Sequence, residues 1–237
     1  MWRVMRVSLL AIVAGAALGA AALMWFYPVL AAGICPRCFG LQRLAPDLYV
    51  EASMPAADRS TLNALTKSAR AQVATFYPDR RAHSLMLACV TSACNRRLGG
   101  RGAAAVTYSL GPLAIVRLAP RGLSKTILAH ELTHTETHAR LGALGQIRGQ
   151  MPAWFDEGLS VLVSDDPRYL NPGRAGMERC KALPQPDLPA SPFKWAPRAG
   201  RDNGLYAQAA CAVLIWAAHK GGTDAIKLRL ETGARFP

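Results

Sequence analysis

The pentapeptide His130-Glu131-Leu132-Thr133-His134 constrains the folding of this 237-residue chain more than any other segment. Two imidazoles four residues apart share a face only on an α-helix, where they stand one turn above the other and can converge on one metal ion at about 2.0–2.1 Å. A helix here is predicted independently of the histidines. Ser124 is a good N-cap, Gly142 supplies a left-handed stop after Leu141, and Ile127, Leu128, Ala129 and Leu132 provide an apolar side to bury. Glu131 sits one residue past the first histidine. It does not ligate, but it reaches the place of a water in an open fourth position and can act there as general base.

Catalytic zinc takes three protein ligands and keeps one position open, so a third ligand is expected elsewhere. The segment Met151-Pro152-Ala153-Trp154-Phe155-Asp156-Glu157-Gly158-Leu159 offers it. Pro152 opens a second helix running to about Val163, and Trp154, Phe155, Leu159 and Leu162 pack it on the first and present Glu157 to the metal. Other candidates fit less well. Position 140 is Arg rather than His, and His138 lies about 12 Å along the helix from His130, too far to share one ion. Glu136 reads as a surface or outer residue. Asp156 is placed to hydrogen-bond a ligand histidine and fix its tautomer.

HExxH followed on a second helix by Trp154-Phe155-x-Glu157-Gly158 resembles the gluzincin metallopeptidases, in their aminopeptidase-like branch. The segment Cys35-Pro36-Arg37-Cys38-Phe39-Gly40-Leu41 resembles the corresponding stretch of membrane-anchored members. The resemblance implies that His130, His134 and Glu157 bind Zn2+, that Glu131 is the base, and that the substrate is a peptide or protein. Gluzincins of this branch often place a tyrosine where Tyr206 opens an apolar helix after a long loop. Tyr206 is therefore the expected oxyanion donor, with Tyr108 and Tyr169 as fallbacks. The implied fold is α+β and zincin-like: a small sheet with an edge strand on the HExxH helix, then a mostly helical C-terminal part. Leu113–Leu118, just before the metal helix, resembles the edge strand to which an extended peptide adds. Endo- and exopeptidase action are both open, as is a non-catalytic metal-bearing module for binding or assembly at the cell envelope.

Nothing charged occurs between Arg6 and Arg37. The apolar part of that span, Val7 to about Ala32, exceeds the ~20 residues a bilayer crossing needs. It reads as an uncleaved transmembrane anchor over residues 1–33, the alternative being a signal cleaved near Val29-Leu30-Ala31 with secretion of the rest. Arg3 and Arg6 keep the N-terminus cytoplasmic and place the remainder on the periplasmic or extracellular side. Export suits the cysteines. Six thiols, Cys35, Cys38, Cys89, Cys94, Cys180 and Cys211, can pair in an oxidising compartment, and sequence proximity couples them in that order. Fifteen connectivities are formally possible. A thioredoxin-like pair at Cys35 and Cys38 lacks the βαβ context such a motif requires. The net charge of +13 comes from scattered arginines with no basic run or interleaved aromatics, which indicates solubility and attraction to anionic membranes rather than nucleic-acid binding.

Residues 34–57, broken by Pro36, Pro46 and Pro55, read as an irregular neck before a single domain over 58–237. Leu62, Leu65, Ala69 and Val73 recur at helical spacing, with Asp58 as N-cap and Tyr77-Pro78 as the stop. Ser84–Val90, Ala103–Leu110 and Leu113–Leu118 are expected strands of a small sheet. Residues 165–200, rich in Pro and Gly, suggest a flap or a disulfide-clipped loop. Helices over 204–219 and 223–231 complete the chain.

Overall fold

The computed structural model describes residues 14–15 and 17–237. The fold is α+β, with a small mixed sheet of five strands in the order β1-β2-β3-β5-β4. The strands are β1 (Leu41–Ala45), β2 (Leu48–Glu51), β3 (His83–Ala88), β4 (Ala105–Leu110) and β5 (Leu113–Leu118). Two antiparallel hairpins, β1–β2 and β4–β5, flank β3, which pairs in parallel with β2 and with β5.

Alternation along the strands separates two apolar faces, as a period of two requires. Leu48, Val50, Met86, Ala88, Val116 and Leu118 turn toward α3 (Ala56–Phe76) and α5 (Lys125–Ile147), meeting Leu62, Ala69 and Val73 on the first and Leu128, Ala129 and Leu132 on the second. Leu41, Leu87 and Cys89 turn the other way, toward α2 (Pro28–Ile34), whose Val29 and Ala32 are 1% and 0% exposed, and toward α4 (Ser92–Arg97). Beyond α5 come α6 (Ala153–Ser164), α7 (Pro192–Ala199), α8 (Leu205–Lys220) and α9 (Thr223–Thr232). α6 lies between α5 and α8. Gly158 makes the second contact possible, because a Cβ there would stand 2.4 Å from the Ala209 carbonyl oxygen.

Several expectations change. The irregular neck is wrong: residues 41–51 supply β1 and β2, and Leu48 and Val50 are fully buried in the core shared with α3. The prolines that suggested a neck sit at element ends, with Pro46 in the β1–β2 turn and Pro55 as the N-cap of α3. Asp58 is therefore not the cap; it lies in the first turn of α3, where its charge suits the helix dipole. Leu113–Leu118 is not an edge strand, since β5 is hydrogen-bonded on both sides, and the edge falls to β4. The helix from Ser124 breaks at Gly142, with φ 67° and ψ 169°, but resumes to Ile147.

The expected membrane-crossing stretch begins in residues outside those described. Among the described residues no single helix is long and apolar enough to cross a membrane. Helix α1 (Ala17–Phe26) and α2 satisfy length and composition together but are bent by 111°. Pro28 causes the break, because it cannot continue the hydrogen-bond ladder and pushes Tyr27 to φ −124°, ψ 74°.

All three short-range cysteine pairings are present as disulfides: Cys35–Cys38, Cys89–Cys94 and Cys180–Cys211. The last ties the loop after α6 to α8. That loop is further fixed by a bridge between Leu170 and Cys180 and by Trp195 of α7, buried against Ala153, Leu205 and Ala209.

Candidate metal centre

Ser124 Oγ accepts from the Ile127 N–H and starts α5, so that His130 and His134 face α6 from successive turns. Three side-chain atoms meet there. His134 Nε2 lies 3.1 Å from His130 Nε2, His130 Nε2 lies 3.2 Å from Glu157 Oε2, and His134 Nε2 lies 3.5 Å from the same oxygen. Donors at three corners of a tetrahedron around a small divalent ion, each at about 2.0–2.1 Å, would stand about 3.3 Å apart. The observed triangle has that size, and its donors, two imidazoles and one carboxylate, are those a metal ion of this kind takes. Burial alone would raise the Glu157 carboxyl, but the neighbouring His134 and His130 hold it down at about 2, so it is available as an anion.

Asp156 lies behind His134. Its Oδ2 accepts from Nδ1 of His134 at 2.9 Å, which orients the ring and leaves Nε2 directed at the triangle. Ser160 Oγ lies 3.2 Å from the same Nδ1. Although burial opposes ionisation, the adjacent His134 and His138 hold Asp156 well below the usual carboxylate range. Under the same two carboxylates, and against the effect of burial, His134 is pushed well above the ordinary histidine value.

His138 stands outside the triangle, as its distance along α5 requires, but it is not idle. Its Nε2 donates to Asp156 Oδ2 at 2.9 Å, and its Nδ1 lies 2.5 Å from Ser109 Oγ on β4. Gln146 donates in turn to Ser109 at 3.1 Å. A chain of polar contacts thus runs from the edge strand to the back of a candidate metal ligand. His134, His138 and Asp156 form a second group of possible metal donors, here closed on itself by these hydrogen bonds.

Glu131 points from α5 toward β4, where Thr107 Oγ1 donates to its Oε2 at 2.6 Å. Thr107 and Ser109 alternate with Tyr108, which turns to the opposite face of the sheet and packs against Tyr27; this removes Tyr108 as an oxyanion donor. Tyr206 is placed beside the triangle. Its ring centroid lies 6.1 Å from that of His130, it stacks on Tyr169 at 5.0 Å, and Trp195 abuts it edge-on. Burial, reinforced by the charge of Glu157, raises the Tyr206 hydroxyl above its ordinary value and keeps it protonated as a donor. Glu136 is corrected: it is buried, and its carboxylate accepts from the N–H groups of Arg81 and Ala82 and from Arg140, pinning α5 to the start of β3.

Sequence reasoning missed Thr107, Ser109 and Ser160. The period of two in β4 places Thr107 and Ser109 on one face, but only the pairing of strands shows which helix that face meets. No protein-family model matches the chain, and neither a curated protein nor a solved structure matches it.

Proposed function

We propose that this chain is a zinc-dependent peptidase of gluzincin type with a zincin-like fold, tethered through its N-terminus on the extracytoplasmic side of a membrane. The observation that carries the reading is the triangle of His130 Nε2, His134 Nε2 and Glu157 Oε2, sized for one ion, with the unliganded Glu131 on the same helix. Zinc, when held by these three residues, supplies Lewis acidity toward a water nucleophile and an amide carbonyl. Glu131 takes the proton from that water and returns it to the leaving amine, and a hydrogen bond from Thr107 holds its carboxylate. Tyr206 donates its hydroxyl to the oxyanion that develops on the carbonyl oxygen. The outer side of β4, which has no strand neighbour among the described residues, offers backbone groups to an extended peptide. Three disulfides support an oxidising compartment.

The test is metal analysis and peptide-library cleavage by the full chain in detergent, with Glu131→Gln and Glu157→Ala. About one zinc per chain is expected, retained in Glu131→Gln and weakened in Glu157→Ala, with hydrolysis lost in both. Hydrolysis by Glu131→Gln at the wild-type rate removes the mechanism. Bound zinc with no cleavage by the wild type would instead leave a metal-bearing assembly module.

A further inference from the structure

Arg117 is the penultimate residue of β5, on the face of the sheet turned away from α5, and is 1% exposed. Its strand neighbours are Leu87 and Val106. Nη1 donates to the neutral amide oxygen of Asn95, Nε has no partner, and no carboxylate pairs with the guanidinium among the described residues. The remaining residues, 1–13 and 16, contain no Asp or Glu. A buried cation without a counter-ion is costly, and a guanidinium cannot shed its charge as a buried lysine can.

The side chain lines a cavity of about 760 Å³ between α1, α2 and the outer face of β4. Leu23, Phe26, Val29 and Val106 make it apolar, Arg101 adds a second cation at its rim, and no acidic residue lines it. A smaller neighbouring hollow is lined by Trp25, Phe26, Arg96 and Arg101. Outside it, the apolar surface continues along α1, with Trp25 and Phe26 82% and 71% exposed. A free inorganic anion would satisfy the arginines and leave these walls bare. An anion with an apolar tail fits both, and a volume of this size suits such a ligand.

We infer that this cavity binds the phosphate headgroup of an anionic lipid, Arg117 and Arg101 taking the phosphate and Leu23, Phe26 and Val29 the start of the acyl chain. The site is separated from the metal centre by the sheet, so its test is independent of hydrolysis. The full chain in non-ionic detergent is titrated with dihexanoyl phosphatidylglycerol, dihexanoyl phosphatidylcholine or inorganic phosphate, followed by Trp fluorescence and melting temperature. Phosphatidylglycerol binds saturably and raises the melting temperature, phosphatidylcholine binds more weakly, and phosphate alone does neither. Arg117→Gln and Arg101→Gln each weaken the lipid roughly tenfold, whereas Arg201→Gln, outside the cavity, binds as wild type. Without lipid, Arg117→Gln melts at or above wild type, because a charge lacking its counter-ion has gone. Should Arg117→Gln fail to fold, Arg101→Gln on the exposed loop decides the matter. Equal binding of the two lipids, phosphate binding as tight as lipid, or undiminished binding in Arg101→Gln overturns the assignment.

Discussion

Thr107 on the edge strand donates to Glu131 on α5 at 2.6 Å, so the candidate base is oriented from outside the helix that carries it. Replacing Thr107 by Val keeps the shape and removes the donor. In Thr107→Val, kcat on a peptide substrate falls roughly tenfold while KM and zinc content hold. An unchanged kcat would show that Glu131 needs no such tether.

Asp156 fixes the ring of His134 from behind, and His138 shares the same carboxylate oxygen. Asp156→Asn is expected to weaken zinc about 10–100-fold, measured by competition with a chelator, and His138→Gln to weaken it less. Full affinity in Asp156→Asn would mean that helix packing alone sets the ring.

Gly158 lets α6 approach α8 until only a hydrogen atom fits between them. A methyl group there meets the Ala209 carbonyl at 2.4 Å for oxygen and 2.6 Å for carbon, and backbone cannot step aside as a side chain can. Urea unfolding of Gly158→Ala should show a loss of about 1–3 kcal/mol.

Glu51 offers a pH test remote from the candidate metal centre. Its carboxylate accepts from the N–H groups of Val90 and Thr91 and from the Thr91 hydroxyl. Burial would raise its pKa, but these bonds prevail and hold it below the ordinary value of 4.5. A folded-state pKa below the unfolded one adds stability that is complete above that ordinary value and lost as pH falls through the folded value. Urea midpoints of Glu51→Gln should therefore lie closest to wild type in strong acid, diverge as pH rises from the folded value toward 4.5, and differ by a steady amount above it. A constant gap across that window would exclude this linkage.

The Cys180–Cys211 bond closes a loop of 31 residues, worth about 3–4 kcal/mol in the chain-entropy account. The double Ser variant should lose stability of that order and become sensitive to proteolysis between residues 165 and 200, observed by mass spectrometry of the fragments.

Local signals served the site well. Ser124, the His130–His134 spacing and the Pro152-to-Gly158 segment each act within one or two helical turns, and they locate all three corners of the triangle and the Asp156 support. What escaped depends on long-range pairing. That β4 rather than β5 forms the edge follows from β5 joining β3, a partner some thirty residues earlier, and the reach of Thr107 and Ser109 to α5 follows from it. Glu136 looked like an exposed acid because its donors, the N–H groups of Arg81 and Ala82, are brought to it only by the fold. β1 and β2 were hidden by prolines that mark their limits rather than deny them.

Val29 and Ala32 are sealed beneath the sheet, so ordered packing starts immediately after Tyr27. Among the described residues, Pro28–Ile34 joins this packing with no loop between it and Tyr27. Trimming at Val29–Ala31 would pull a keystone from the finished structure, so any such cut belongs before folding.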